Sequence, residues 1–281
     1  MIVVTGATGN VGRSLVQALA ATGEHVTATS RGISPADVPA GVGHRRADLA
    51  EPESLRPVVE GADALFLQSG GAGAHSLSPH DILDVAKAGG VERVVLLSSQ
   101  GVATRPQSAS HGTLMRSIED AVRQSGMAWT ILRPGGFNSN TYAWAESIRT
   151  TRTVAAPFGD VGLPTIDPLD IAEVAAAALL QDGHAGQIYE LTGPALITPR
   201  QQAEAIGDAL GEPVRFVEQT RDQARAQMLH FMPEPVAETT LAILGTPTPA
   251  EQRISPDVEL VLGRPPHTYA AWAHRNTAAF R

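Results

Sequence analysis

The 281-residue sequence contains no cysteine. That excludes disulfides, thiolate nucleophiles and cysteine-ligated metal sites. It contains a single lysine, Lys87, so any chemistry that needs a lysine ammonium must use that residue. Its nine histidines show no H-x-x-x-H or H-E-x-x-H arrangement, and no metal is expected. No apolar run approaches the roughly 20 residues that span a bilayer, so no membrane partner is expected. The net charge of −8 argues against a general nucleic-acid binder. The opening apolar stretch has no charged region before it and is not expected to be a signal peptide, which makes the cytoplasm the expected location. Aromatic residues are scarce, at 4%, so Tyr142 and Trp144 stand out. A hydrophobic content of 43% is that of an ordinary globular protein, long enough to bury a large core as one big domain or two small ones.

The first twelve residues organise the rest. Ile2-Val3-Val4 is a short β-branched run suited to a strand buried on both faces. Gly6, Gly9 and Gly12 follow, and then Val11, Leu15 and Leu19 recur every four residues, so a helix is predicted from about Asn10 to Gly23. A strand, a glycine turn and a helix in that order point to a dinucleotide site. The glycines allow a sharp turn and a close approach to a pyrophosphate, which then faces the helix N-terminus. Thr8, Asn10 and Val11 belong to the same turn.

A second strand, His25 to Thr29, is followed by Ser30 and Arg31. A site for NAD normally places an acid here for the ribose 2′-hydroxyl. The acid is missing, and an arginine fork with a serine suits a 2′-phosphate, so NADP(H) is the expected cofactor. A third strand is predicted over His44 to Leu49. At its end Asp48 can contact the adenine amine or cap the helix starting near Pro52, and Leu49 can cover the adenine face. Ala62 to Leu67 predicts a fourth strand, and Gln68, Ser69 and the small residues through Gly73 leave room for a ligand. Pro79 to Gly89 reads as a helix and Val91 to Leu97 as a fifth strand, ending in Ser98-Ser99. His111 to Ser125 reads as a helix with Leu114, Ile118, Ala121 and Val122 on one face.

Met127 to Leu132 is the predicted sixth strand, running into Pro134, Gly135, Phe137 and Asn138. The β-α alternation predicts an α/β protein with a doubly wound parallel sheet. Thr153 to Pro164 reads as loop, Ile171 to Leu180 as a helix apolar all round, and Ile188 to Leu191 as another strand. A helix from Thr198 to Gly211, a short strand at Val214 to Val217 and a helix from Asp222 come next. That last helix leads to Met228 and Phe231, residue types that line adaptable ligand pockets or dock a helix on a core. A final helix is predicted over Thr268 to Phe280. The expected division is a nucleotide-binding domain over 1–152, completed by 166–193, and a smaller substrate-binding region over 194–281.

Several local patterns carry a resemblance. They are Thr5 through Gly12, Asp48-Leu49, Val95 through Ser99, Trp129 through Gly135, and Asp167 through Ala172. The chain resembles the NmrA-like branch of the atypical short-chain dehydrogenases/reductases, closely over residues 1 to about 195 and loosely beyond. The resemblance implies a Rossmann domain, a smaller C-terminal substrate region and NADP. Members of that branch include quinone and azo reductases, ketone reductases of aromatic antibiotic pathways, and redox sensors. The wider superfamily uses a Ser with a Tyr and a Lys four residues apart. Ser99 matches the Ser, but the Tyr position falls on His111 and the Lys position on Met115. No tyrosine lies four residues before Lys87; the tyrosines are Tyr142, Tyr189 and Tyr269.

Reduction of a carbonyl then needs another proton source. His111, whose imidazole titrates near neutrality, and Ser99 are the catalytic candidates. Phe137, Asn138, Tyr142, Met228 and Phe231 are candidates to hold an aromatic small-molecule substrate. A phenol-bearing substrate can also deliver a proton from its own hydroxyl. The expected activity is NADPH-dependent reduction of an aromatic, polyketide-like ketone or a quinone. The other reading is a sensor of NADP(H) occupancy that signals through a protein partner.

Overall fold

The computed structural model describes residues 1–69, 77–108 and 112–281. The elements follow in chain order as β1 (Ile2–Thr5), α1 (Asn10–Ala21), β2 (Val26–Ser30), β3 (Gly43–Arg46), α2 (Arg56–Val59), β4 (Ala64–Gln68), α3 (Pro79–Ala88) and β5 (Arg93–Leu97). Next come α4 (Gly101–Thr104), α5 (Gly112–Gln124), β6 (Ala128–Pro134), α6 (Ala145–Thr151), β7 (Thr153–Pro157), α7 (Pro168–Leu180) and β8 (Gln187–Leu191). The chain closes with α8 (Pro199–Leu210), β9 (Arg215–Gln219), α9 (Arg221–Met228), α10 (Glu234–Gly245), α11 (Asp257–Leu262) and α12 (Tyr269–Arg275). Two compact units result, one of Met1–Val102, Leu114–Pro134 and Pro168–Glu190, the other of Ala103–Thr113, Gly135–Asp167 and Leu191–Arg281. Residues 135–152, expected with the nucleotide-binding domain, group instead with the C-terminal part of the chain.

The first unit carries a seven-stranded sheet in the order β3-β2-β1-β4-β5-β6-β8. β1 pairs in parallel with both β2 and β4, with Val3 opposite Thr27 on one side and Leu65 on the other. The strand order therefore reverses at β1, and ligands of such sheets bind outside the C-terminal strand ends at that reversal. The central strands read as continuous apolar runs because both faces are covered. Val3, Leu65, Leu67, Val94 and Leu96 pack with Val58, Ile82, Ile118 and Val122 of α2, α3 and α5 in one buried cluster. On the other face α7 packs against α1 and against β4, β5 and β6. Nine of the thirteen α7 residues are buried, which explains a helix that shows no polar face.

Two local expectations are corrected here. The third strand ends at Arg46 rather than Leu49. Asp48 turns the chain there, its Oδ1 accepting from the Ala50 amide at 3.0 Å. The helix after Pro52 is a single 3₁₀ turn, Pro52–Leu55, followed by only four residues of α2. Pro57 lies inside that short stretch and has no amide hydrogen to donate.

The second unit holds a parallel pair, β7 with β9, in which Val154 faces Phe216. Residues 153–157, read as loop, are thus a strand. Their partner lies about sixty residues further along, and no local signal announces it. Ile148, Val154, Ile206, Trp272 and Phe280 form this unit's core. α10 (Glu234–Gly245), where the sequence predicts no element, starts after Pro233.

Candidate active site

The turn after β1 is built by its glycines. Gly6 has φ +61°, a left-handed conformation that disfavours side chains. A Cβ on Gly12 would lie 2.2 Å from the Gly6 carbonyl oxygen, so only glycine lets α1 pack this close to the turn. Gly9 is the N-cap of α1 and brings no side-chain hydrogen bond. Among the described residues nothing accepts from the Val11 and Gly12 amides, which stand in the first turn where the helix supplies no acceptor. Thr8 is half-buried beside them and Asn10 is exposed. Thr5 locks the turn in place: its Oγ1 donates to the Phe66 carbonyl at 3.0 Å and accepts from the Gln68 amide at 2.8 Å. The Ala7 amide donates to the Thr29 carbonyl at 3.1 Å, tying the turn to β2.

Around this turn lie buried polar atoms with no partner among the described residues, namely Thr29 Oγ1, Ser30 Oγ and Gln68 Oε1. Burying a hydroxyl or amide oxygen without a hydrogen bond costs roughly 1–3 kcal/mol. Two of these atoms stand at the end of β2 and one at the end of β4, the strands that flank β1, an arrangement suited to a polar ligand. The Gln68 side chain reaches over the turn, so that a Cβ on Gly6 would meet its Cδ at 3.1 Å and one on Gly9 its Nε2 at 3.6 Å. Arg31 is exposed just beyond β2, and no acid stands at that strand end. A glycine cradle, amides and hydroxyls without a partner among the described residues, and the exposed Arg31 cation suit a phosphorylated dinucleotide. Leu49 is half-buried and Ser69 buried.

The ends of β5 and β6 are joined by a buried charge network that the sequence reading missed. Glu119 of α5 has 0% exposure. Its carboxylate accepts from Ser98 Oγ at 2.6 Å, from Arg133 Nε and Nη2 at 2.9 and 2.6 Å, and from Arg123 Nη2 at 2.7 Å. Burial alone would raise the Glu119 pKa; hydrogen bonds from Arg133, Ser98 and Arg123 overcome it and hold the carboxyl below its usual range. The Ser98 and Gln100 amides donate to Leu132 and Pro134 carbonyls at 2.8 and 2.9 Å, tying the two strand ends together. The only signal in sequence was the Glu119–Arg123 spacing of four, which reads as an ordinary surface helix pair.

Ser99 leaves this junction half-buried, and its Oγ accepts from the Gly101 amide at 3.1 Å. The loop-capping role is thus present, and among the described residues the hydroxyl has no acceptor of its own. His111 lies outside the described residues. Met115 is in the core at 9% exposure. Lys87 donates to the Ser125 carbonyl at 2.8 Å, at the end of α5.

In the second unit the structure separates the five substrate candidates. Asn138 is fully buried and Phe137 half-buried. Tyr142 donates to Asn276 Oδ1 at 2.6 Å and packs against Trp272 and Phe280, which makes it part of the core. Burial, and then Asp167, push its phenol pKa up, so it stays protonated. Met228 is half-buried at the end of α9, while Phe231 is 73% exposed. Gly135 donates its amide to the Leu191 carbonyl at 3.0 Å.

A reversing parallel sheet with this cradle defines a dinucleotide-binding α/β protein. A model of NAD(P)H-binding proteins matches residues 6–182, and the chain belongs to that family, as an NAD(P)H-dependent oxidoreductase. It is 36% identical, over all of its own length and 99% of the relative, to the (4-alkanoyl-5-oxo-2,5-dihydrofuran-3-yl)methyl phosphate reductase of Streptomyces griseus. It is 33% identical, over all of its length and 99% of the relative, to an NAD(P)H azoreductase of Xenophilus azovorans. Its fold is similar to that of an NADPH-dependent quinone oxidoreductase of Escherichia coli solved with NADPH, with a TM-score of 0.78, 24% identity, and coverage of 98% of this chain and 99% of that one.

Proposed function

We propose that this oxidoreductase uses NADPH to reduce an aromatic ketone or a quinone, and that it does so without a Tyr-Lys proton relay. The observation that carries this reading is the state of the relay positions. The only lysine hydrogen-bonds a backbone carbonyl at the end of α5, and the position matching the relay lysine is a buried thioether. Such a site suits acceptors that need little help with protonation. Bound NADPH supplies a hydride. Its addition to a quinone would leave a delocalised anion, a weaker base than a simple alkoxide, whereas its addition to an aryl ketone would leave an alkoxide that a hydroxyl on the substrate itself would protonate. The oxo-dihydrofuran, azo and quinone compounds named for the similar proteins are all conjugated acceptors.

The chain's own residues have three tasks. The glycine turn and the Val11 and Gly12 amides would hold the pyrophosphate, with Gln68 beside it. Ser30 and Arg31 would take the 2′-phosphate, giving NADPH its advantage over NADH. Ser99, through its hydroxyl hydrogen, would bond the reacting oxygen, and Glu119 would hold the β5 end beneath it. The proton would come from a phenolic hydroxyl on the substrate, already within hydrogen-bond reach of the carbonyl.

The experiment is NADPH oxidation followed at the cofactor absorbance against quinones, aryl ketones and azo dyes. Saturable turnover with members of the first two classes is expected. Tight NADPH binding with no turnover on any of them would favour the second reading, an NADP(H)-occupancy sensor, which the missing relay also fits.

A further inference from the structure

Arg31, Arg45 and Arg46 gather at one corner of the first unit's sheet. Arg31 follows β2, while Arg45 and Arg46 close β3, the edge strand. All are exposed, and among the described residues their side chains have no hydrogen-bond or ion-pair partner. The other arginines of this unit behave differently. Arg13, Arg56, Arg93, Arg116, Arg123 and Arg133 each donate to a carboxylate or a backbone carbonyl. Like charges collected at one corner repel one another. Charged side chains do keep an exposed edge strand from pairing with another chain, but that task is indifferent to which face each arginine takes.

Register separates the two β3 arginines. Ser30 stands opposite Arg46, and Thr29 opposite Arg45. Side chains alternate between faces along a strand, and parallel partners share a face on strands about 4.8 Å apart. Val3 pairs with Thr27, so Thr27, Thr29 and Arg45 lie on the Val3 face, which α2, α3 and α5 cover. Val4 pairs with Ala28, so Ala28, Ser30 and Arg46 lie on the opposite face, with α1. That is the side on which the N-terminus of α1 would receive the pyrophosphate. The Ala47 amide donates to the Ser30 carbonyl at 3.3 Å, fixing the β3 end beside Ser30, whose own hydroxyl has no partner among the described residues. The approach is open: Arg31, Gly32 and Arg46 are exposed, and a Cβ on Gly32 would meet nothing within 4 Å.

We propose that Arg46 is the second arm of an arginine clamp on the 2′-phosphate of NADPH, with Arg31 as the first arm and Ser30 between them. The proposal rests on the NADPH reading given above. That reading stops at Ser30 and Arg31, neighbours in sequence, whereas Arg46 reaches the same place from the adjacent strand. A phosphate monoester carries close to two negative charges at neutral pH and presents three acceptor oxygens. One guanidinium fork leaves charge and acceptors over, and a second fork takes them. The bound phosphate also offsets the repulsion between the two guanidiniums. NADH brings no anion to this corner and leaves that repulsion in place.

The test is a titration of NADPH and of NADH, followed by cofactor fluorescence with no acceptor present. Arg46→Gln should weaken NADPH roughly tenfold, with NADH affinity and stability to urea unchanged. Arg46→Lys keeps the charge but loses the fork, and should fall between the wild type and the Gln variant. Arg45→Gln, on the opposite face, should keep the wild-type ratio of the two affinities. A wild-type ratio in Arg46→Gln would overturn the proposal, and so would a loss of NADH affinity equal to that of NADPH. An equal loss of preference in Arg45→Gln would also overturn it, since the arginines would then act as a diffuse basic edge. Equal wild-type affinities for the two cofactors would remove the 2′-phosphate reading of Ser30 and Arg31 together with this one. Failure to reduce any ketone or quinone would sink the proposed activity alone, because the titration contains no acceptor.

Discussion

Replacing Glu119 by Gln tests how the β5 and β6 ends are held. The carboxylate is fully buried and accepts four short hydrogen bonds, three of them from two arginines whose side chains are 15% and 30% exposed. The amide keeps the shape but loses the charge, and it turns an N–H toward a guanidinium. Breaking one side of a buried pair typically costs about 3–5 kcal/mol, with Arg123, the more exposed partner, pulling toward the lower end. Against a total stability of roughly 5–15 kcal/mol that is a large fraction, equivalent to a fall in Tm of roughly 5–15 °C in a chain of this size. The sign of the pH dependence follows from the depressed Glu119 pKa. A carboxyl depressed on folding contributes stability above its unfolded pKa, about 4.3, and loses it as the pH falls through the lower folded value. Urea unfolding should therefore give a wild-type advantage that is full at neutral pH and shrinks below about pH 4. Kinetics would show a drop in kcat, because Ser98 and Ser99 share the loosened strand end. A loss below about 1 kcal/mol, the range of a surface pair, or a difference independent of pH, would refute the reasoning.

Other consequences can be checked separately. Gly9→Val should abolish NADPH binding in a chain that still folds, measured by titration and circular dichroism, since its added atoms occupy the space over the turn. Gly12→Ala should act on the fold instead, because its Cβ would lie 2.2 Å from the Gly6 oxygen; a loss of about 1–3 kcal/mol or more is expected in urea. Arg31→Ala should weaken NADPH roughly ten- to a hundredfold while leaving NADH affinity unchanged, and equal wild-type affinities for both cofactors would remove the 2′-phosphate argument. O-methylation of an accepted hydroxy aryl ketone should suppress turnover without preventing binding, whereas His111→Ala should slow turnover without ending it; the opposite pair of results would put the acid on the enzyme.

The parts legible in sequence were those fixed by neighbours along the chain. Ile2 to Gly12 announces its strand, turn and helix because each needs only local residue types, and Thr198 announces α8 through its cap on Gln201. β7 was not legible, since Thr153 to Pro157 becomes a strand only through β9, far along the chain. Glu119 and Arg133 looked like helix and strand charges with no common purpose until the fold placed them together. Tyr142 was a candidate because aromatics are scarce here, and Phe231 because methionine and phenylalanine near a helix end line adaptable pockets; neither cue tells a core ring from an exposed one. Thr29 joined the cofactor candidates only once its buried hydroxyl was found without a partner.

The central claim is that the glycine cradle holds NADPH for hydride transfer to a conjugated acceptor. Single-turnover oxidation of NADPH deuterated at C4, with the two faces labelled in separate preparations and a quinone or aryl ketone as acceptor, tests it most directly. The account predicts stoichiometric oxidation on adding the acceptor, slowed by deuterium on one face only. No oxidation, or oxidation equally insensitive to both labels, would contradict it.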